Sequence, residues 1–326
     1  MKEVRELEAR FRAGHKAALA RAISWAENGD PAYAEFLRSV YASVGRAWRT
    51  GVTGPPGAGK STLVNELAKS LRAKQRTVGI LAVDPSSPIS GGALLGDRIR
   101  MEERTSDVGV YIRSMASRGG HGGLSRASSD ACDVIDAFGI DEVLLETVGV
   151  GQAEYDVVSA TDTVLVVLCP GAGDGIQAMK AGILEVADVL VVNKSDLAGA
   201  DRLVTDLEEA VHIRATGGAR DPAGWSAPVV ACSAGTGRDV DEVLRQIEKH
   251  RAWLAGERLV RARGEKRLQH VRRAVEEQLA EELWERRGWN ARASSLLESG
   301  KAPYDVVEAL VSSILGANER DGVKSA

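Results

Sequence analysis

The stretch GPPGAGKS, residues 54–61, follows a short apolar run and precedes the helical pattern STLVNELAKSLRAK. Its residues Gly54, Gly59, Lys60 and Ser61 fit the spacing GxxxxGK[S/T] of a P-loop. Glycines allow backbone N–H groups to surround phosphate oxygens, and the N-terminus of the following helix favours negative charge. The alternative is a glycine turn that only joins a strand to a helix, but the full pattern in this context predicts a nucleotide site.

Each part of this loop has a predicted role in binding the nucleotide. Lys60 is expected to bridge the β- and γ-phosphates, and the hydroxyl of Ser61 is expected to bind Mg²⁺. Pro55 and Pro56 fix φ and so reduce the entropy that the loop loses on ordering. The predicted nucleotide-binding residues of the loop are Gly54, Pro55, Pro56, Gly57, Ala58, Gly59, Lys60, Ser61 and Thr62.

Short aliphatic runs alternate with helical patterns through the middle of the chain. They are TGVTG, before the P-loop, and then TVGILAVD (77–84), VGVYIRS (108–114), DEVLLET (141–147), TVLVVLC (163–169), DVLVVNK (188–194) and PVVACSA (228–234). Such runs are apolar on both faces, as are the strands of a parallel sheet covered by helices. The sequence therefore predicts an α/β fold with a mainly parallel sheet flanked by helices.

The tetrapeptide NKSD (193–196), a GTPase motif, lies at the end of the sixth apolar run. The carboxylate of Asp196 can accept from both N1–H and the 2-amino group of guanine, whereas adenine offers no such pair of donors. Lys194 is expected to lie along the base and brace the phosphate loop, and Asn193 to tie neighbouring loops together. Ser233 and Ala234 match the SA element whose backbone N–H meets guanine O6. The chain is thus predicted to be a P-loop GTPase that binds GTP and GDP.

Acidic residues near the ends of two strands are candidates for hydrolysis. Asp84 is placed for Mg²⁺ or its water shell, and Asp97 could reach the metal or instead cap the helix DRIRMEER. Glu146, in ETVG, could order the attacking water or bind Mg²⁺ through water, unless it is only a core-edge carboxylate. The N–H of Gly149 is expected to contact the γ-phosphate. The predicted catalytic residues are Lys60, Glu146 and Asp97, and the predicted metal residues are Ser61, Asp84, Asp97 and Glu146.

No arginine stands in an evident finger position. Arg98, Arg113 and Arg118 are expected to be solvated or structural charges, so fast hydrolysis is expected to need a partner. Gln152 lies three residues beyond Gly149 rather than directly after it, which argues against a role in orienting water.

Composition excludes several other classes of protein. The 326 residues carry a formal net charge of -4, so the usual electrostatic driver of nucleic-acid binding is missing. Three widely spaced cysteines favour reduced thiols and a cytoplasmic location. The N-terminus lacks the apolar run of a signal peptide, and no stretch is long and apolar enough to span a membrane.

Both ends of the chain have helical patterns. Residues 3–46 predict two amphipathic helices broken at Asn28-Gly29-Asp30-Pro31. Near the other end one apolar stripe of a long helix packs either on a partner helix or back on its own domain. The stripe consists of Leu268, Val271, Val275, Leu279 and Leu283. The predicted domains are an N-terminal helical extension (1–46), a P-loop GTPase domain (47–256) and a C-terminal helical arm (257–326).

Longer motifs make the chain similar to the MeaB/ArgK family of methylmalonyl-CoA mutase-associated GTPases. Besides the P-loop and NKSD, they are VDPSSPISGGALLGDRIRM (83–101), RSMASRGGHGGLS (113–125) and ETVGVGQAE (146–154). The resemblance covers nearly the whole chain. It implies a GTPase chaperone that binds an adenosylcobalamin-dependent methylmalonyl-CoA mutase, gates loading and removal of its cofactor, and protects it from inactivation.

The same resemblance implies further site residues and a homodimer. It assigns phosphate, Mg²⁺ and hydrolysis roles to Lys60, Ser61, Asp84, Asp97 and Glu146. It also implies that Gly171 to Lys180 form a third switch and that the C-terminal arm mediates homodimerisation.

Three other functions remain open at this point. A metallocentre-assembly GTPase that delivers nickel should carry a Cys/His site, but Cys132, Cys169 and Cys232 form no CxxC pair and His121 stands alone among glycines. NKSD argues against a kinase. A scaffold that binds nucleotide without turnover conflicts with the intact set of predicted catalytic residues.

Overall fold

A computed structural model describes residues 2–85, 107–117, 123–147, 157–171, 185–216 and 224–315. Its centre is a seven-stranded parallel sheet with the strand order β3-β2-β4-β1-β5-β6-β7. The strands are β1 (Trp48–Thr53), β2 (Val78–Pro85), β3 (Val110–Ser117), β4 (Glu142–Thr147), β5 (Thr163–Leu168), β6 (Val189–Val192) and β7 (Val229–Ala231). Each predicted apolar run overlaps one of these strands, so the parallel α/β fold is confirmed.

Helices precede, flank and follow the sheet. They are α1 (Lys2–Arg12), α2 (Lys16–Asn28), α3 (Pro31–Val40), α4 (Lys60–Ala73), α5 (Gly123–Ala137), α6 (Ala200–Thr216), α7 (Val240–Leu254), α8 (Glu257–Ala280), α9 (Trp289–Glu298) and α10 (Pro303–Leu315). A 3₁₀ turn spans Tyr41–Ser43 and a π-helical turn spans Glu281–Arg286. Among the described residues, no helix combines the length and apolar character needed to cross a bilayer.

Both faces of the sheet are covered, which explains why central strands such as β5 carry apolar residues on both faces. In β5, Val164 and Val166 pack into one buried cluster, whereas Leu165 and Val167 pack into the other. The first cluster includes side chains of α1 to α3, α5 and α6, and the second includes those of α4 and α7. The two layers of helices remove this apolar surface from water.

The N-terminal segment contains three helices, so the prediction of two was wrong. Its first helix ends at Arg12, where Gly14 adopts φ +80°. The N–H of Gly14 donates to Phe11 O at 2.9 Å and that of His15 donates to Arg10 O at 3.1 Å, which is the pattern of a Schellman motif. The second break lies where it was predicted, because Asp30 caps α3 through a 2.9 Å bond from Ala32 N.

The N-terminal helices also hold the edge strand β3. Lys16 Nζ donates to Val110 O at 2.7 Å, and Arg113 Nη2 pairs with the Glu27 carboxylate at 2.8 Å. Covering an edge strand in this way protects its backbone from pairing with other chains. Arg113 is therefore a structural charge, one of the two roles expected from the sequence.

The chain divides into two compact units, Met1–Leu268 and Gln269–Ala326. In the second unit a small core forms around Trp289, Val306 and Leu310, and Leu283 packs against it. Leu283 therefore leaves the predicted stripe, because it follows the end of α8. The other stripe residues, Leu268, Val271, Val275 and Leu279, are each 50% to 55% exposed. The domain boundaries at residues 46/47 and 256/257 remain predictions.

Candidate functional site

The P-loop connects the central strand β1 to α4. Gly59 precedes the helix with φ +88°, and its carbonyl accepts the first helical bond, from Leu63 N at 3.0 Å. Lys60 is buried, and its Nζ donates to Gly54 O at 2.7 Å and to Pro55 O at 3.0 Å. The lysine ammonium thus lies within the curve of the loop, where a phosphate group would compete for its donors.

Asn193 joins the P-loop to the segment that follows β7. Its Nδ2 donates to Ala58 O at 2.8 Å, and its Oδ1 accepts from Ala234 N at 2.9 Å. The asparagine therefore ties neighbouring loops together, as its role in NKSD predicts. Because the Ala234 N–H already has a protein acceptor, guanine O6 would have to share or replace that bond.

The two charged members of NKSD contact the two loops that Asn193 joins. Lys194, with φ +58°, donates through Nζ to Gly57 O at 2.7 Å and so braces the phosphate loop. Asp196 Oδ1 accepts from Ser233 Oγ at 2.5 Å. This bond lowers the pKa of Asp196, and the positive charges of Arg238 and Lys194 act in the same direction. An ionised carboxylate at this position can accept two hydrogen bonds from guanine.

Ser61 and Glu146 bring α4 and the end of β4 together. Ser61 Oγ donates to Glu146 Oε1 at 2.6 Å, and Glu146 is buried at 1% exposure. A hydroxyl has one proton, so this bond leaves the lone pairs of Ser61 Oγ available to a cation. Hard oxygen donors of this kind suit Mg²⁺, whose remaining ligands in nucleotide sites are phosphate oxygens and water. Ser61 would bind the ion, and Glu146 would orient the Ser61 hydroxyl.

The other predicted site residues are only partly covered by the structure. The backbone of Asp84 lies near the carboxyl end of β2, opposite Ala116 of β3. Its side chain lies outside the described part, as do Asp97 and Gly149. Outside the described residues lie also Arg98, Arg118, Gln152 and most of the predicted third switch. The roles of these residues remain predictions.

Two buried threonines at this edge of the sheet were not selected by sequence analysis. Thr147 Oγ1 donates to Thr53 Oγ1 at 3.1 Å, which connects the residue before the P-loop to the residue after Glu146. Both side chains are almost fully buried. No motif points to this pair, because its members are distant in sequence and meet through the pairing of β1 with β4.

No group suited to a nickel-type site occurs in the described ranges. No cluster of three or more His, Cys, Asp or Glu side chains that could hold a metal ion is found there. Cys132, Cys169 and Cys232 are buried, and burial raises the pKa of the Cys132 and Cys232 thiols to about 12. Neutral thiols of this kind are poor metal ligands.

Several known proteins are similar to this chain over most of its length. The family described as Methylmalonyl Co-A mutase-associated GTPase MeaB matches residues 19–288. A GTPase of Pyrococcus abyssi is 44% identical over 264 residues, which cover 81% of each chain. GTPase ArgK of Escherichia coli is 34% identical over 283 residues, 84% of each chain.

A solved structure described as a LAO/AO transport system kinase has a TM-score of 0.73 and 27% identity, covering 96% of this chain and 97% of that one. The fold, the P-loop and the NKSD loop are thus accompanied by a family match over most of the sequence. The chain belongs to the MeaB family of P-loop GTPases.

Proposed function

We propose that this GTPase is a chaperone of an adenosylcobalamin-dependent methylmalonyl-CoA mutase. In this proposal it binds the mutase, gates loading and removal of the cofactor, and protects the mutase from inactivation through GTP binding and hydrolysis. The family description names the mutase as the associated protein. The single observation that carries the GTP-dependent part is the convergence of Lys60, Ser61, Glu146 and the NKSD loop at one edge of the sheet.

Mg²⁺ is proposed as the ion that accompanies GTP. The 2.6 Å bond between Ser61 and Glu146 supports this, because it presents a hydroxyl oxygen beside the P-loop with its proton already donated. A bound Mg²⁺ would neutralise negative charge on the phosphates. Lys60 would contact the β- and γ-phosphates, and Asp84 and Asp97 would assist at the ion or its water shell.

A homodimer is proposed through the C-terminal arm. The support is the apolar stripe on α8, where Val271, Val275 and Leu279 are each about half exposed. Half-buried aliphatic residues at helical spacing are typical of a seam that packs on a partner helix.

The sequence also predicts a cytoplasmic protein that binds neither nucleic acid nor membrane.

The proposed function is tested by measuring phosphate release from GTP, with ATP as the control nucleotide, with and without methylmalonyl-CoA mutase. We expect slow, GTP-only turnover that rises when the mutase is added. Lys60→Ala should abolish it. Lys69→Ala is the matched control, since Lys69 lies on the same helix with its side chain 69% exposed. Turnover that is indifferent to the mutase would contradict the chaperone role but leave the GTPase intact.

The same assay separates the remaining alternatives. The similar solved protein is described as a transport system kinase, and a kinase would transfer the γ-phosphate of GTP to an acceptor rather than to water. Free phosphate equal to the GTP consumed would exclude that function here. A nickel-delivery GTPase would bind nickel stoichiometrically, so a nickel titration without saturation at one site would exclude it. No phosphate release with mutase present would leave only a nucleotide-binding scaffold.

A further inference from the structure

Arg238 closes the loop that carries the SA element. Its carbonyl accepts from Ser233 N at 2.9 Å, and its N–H donates to Ser233 O at 3.1 Å. Thr236 N also donates to Ser233 O, at 3.1 Å. The backbone of this loop is therefore tied at both ends, and the side chain of Arg238 leaves it from a fixed position.

The side chain of Arg238 reaches the NKSD loop. Its Nη2 donates to Ser195 Oγ at 2.8 Å, so the bond connects the loop after β7 with the loop after β6. Ser195 lies between Lys194, which adopts the left-handed conformation, and Asp196. A non-glycine residue in that conformation costs about 1 kcal/mol or more and persists when the surrounding contacts hold it.

Two bonds from the SA loop thus hold the residues that follow Lys194. Ser233 Oγ binds the Asp196 carboxylate directly, and Arg238 binds the neighbouring Ser195. The first bond sets the rotation of the carboxylate. The second, together with the 3.0 Å bond from Ser195 N to Cys232 O, holds the backbone that carries it. Without the second, Asp196 could keep its charge but lose its alignment with the two donors of guanine.

We infer that Arg238 is a positioning residue for guanine specificity, acting through Ser195 on Asp196. This inference rests on the proposed assignment of Asp196 to the guanine base. Arg238 does not need to touch the nucleotide. Its loss should therefore weaken the contact with the 2-amino group and N1–H of guanine more than it weakens binding of the phosphates.

The test compares binding of GDP with binding of inosine diphosphate, which lacks the 2-amino group, by isothermal titration calorimetry. Arg238→Met should weaken GDP about fivefold, the order expected for one partly exposed charge-assisted hydrogen bond. Binding of inosine diphosphate should weaken less, so the preference of the protein for GDP should fall. Ser195→Ala should behave in the same way, and the double variant should be no worse than either single one.

Two further variants make the outcome specific. Arg238→Lys keeps a donor within reach of Ser195 and should recover part of the preference for GDP. Arg245→Met is the control, because Arg245 is an exposed arginine on α7 that pairs with Glu242. Its binding of both nucleotides should equal that of the unchanged protein.

Equal weakening of GDP and inosine diphosphate in Arg238→Met, or no weakening of either, would overturn the inference. The variant Asp196→Asn then shows whether the role of Arg238 or the assignment of Asp196 is wrong. If Asp196→Asn lowers the preference for GDP and Arg238→Met does not, only the role of Arg238 is wrong. If neither variant changes the preference, the assignment of Asp196 to guanine is wrong as well.

Discussion

Asn193 leaves no room for a side chain at Gly59 of the P-loop. A Cβ built on Gly59 would lie 2.4 Å from Asn193 Nδ2, and Gly59 adopts φ +88°. At Gly57, with φ +76°, a Cβ would meet nothing within 4 Å. Alanine would therefore introduce backbone strain at both positions, but it would collide with Asn193 only at Gly59.

We expect Gly59→Ala to lower the free energy of unfolding without nucleotide by about 2–3 kcal/mol, because strain and the displaced Asn193 amide add together. Gly57→Ala should cost about 1 kcal/mol, the strain alone. Urea unfolding of both variants measures the difference. Equal losses would mean that the Asn193 bond to Ala58 contributes nothing.

The imidazole of His250 is neutral, and its tautomer follows from its neighbours. Nε2 lies 3.4 Å from Asp188 Oδ1, and a carboxylate oxygen accepts, which places the ring proton on Nε2. Nδ1 then accepts from Thr163 Oγ1 at 2.9 Å. Burial, with a smaller contribution from the positive charge of Lys266, lowers the pKa of His250 to about 4.

This lowered pKa predicts how His250 affects stability at different pH values. The unfolded histidine takes up a proton below pH 6.5 and the folded one only near pH 4, so its contribution is complete above 6.5 and is lost as the pH falls. The loss reaches about 3 kcal/mol. Burial raises the pKa of Asp188 to about 6, which has the opposite sign in the same window.

Because Asp188 contacts His250, its titration is removed by adding His250→Gln in the background of Asp188→Asn. The double variant should be less stable than Asp188→Asn alone at pH 7.5, and this gap in the free energy of unfolding should narrow as the pH falls from 6.5 to 4. Unfolding measured at a series of pH values provides the check. A constant gap would mean that the folded histidine titrates normally.

Helices and strands could be predicted from the sequence where a single local pattern of residues determines them. All seven strands were, because helices cover both faces of the sheet and each strand therefore contains a short run rich in apolar residues. The break after α1 was not, since Gly14 interrupts an otherwise continuous helical pattern. Contacts between Arg263 of α8 and Asp162 before β5 were also not predictable, because 101 residues separate the pair.

Arg263 fastens the start of α8 to the amino ends of β1 and β5. It donates to both carboxylate oxygens of Asp162, at 2.8 and 2.6 Å, and to Ala47 O at 2.7 Å. The side chains of this pair are 16% and 4% exposed. On the same helix, Arg261 pairs with Glu265 in an ion pair that is 83% and 62% exposed.

Arg263→Met should lower the free energy of unfolding of the first unit by about 3 kcal/mol, because it leaves the buried Asp162 charge without its arginine. Arg261→Met should change it by less than about 0.5 kcal/mol, because the ion pair that it removes is in water. Urea unfolding followed by tryptophan fluorescence measures both. Similar small losses would show that Asp162 is stabilised by other groups.

For the whole molecule, the sequence predicted the parts of the site that are continuous in the chain. GPPGAGKS and NKSD are motifs with a fixed spacing of residues. Lys60, Asn193 and Lys194 make contacts consistent with these motifs. Arg238 and the Thr53–Thr147 pair were missed because their contacts join separate strands or loops. Interactions made only after folding leave no spacing to recognise.

The homodimer can be tested without disturbing the GTPase site. Changing both Val271 and Val275 to Glu places two charges in the proposed seam, where burial would leave them unpaired. We expect the dissociation constant of the dimer to rise by about 100-fold or more, measured by sedimentation equilibrium. GTP turnover without mutase should stay unchanged, because neither residue belongs to the nucleotide site.

The matched control changes Gln269 and Ala280 to Glu, since both are exposed positions on the same helix and lie about 100° or more around it from the centre of the stripe. It adds the same charge without placing it in the seam, so the dimer should persist. If the control dissociates as readily as the Val271 and Val275 variant, repulsion between charges rather than apolar packing would explain both. A wild-type protein that sediments as a monomer would reject the dimer itself, and the exposed stripe would then be available to another protein.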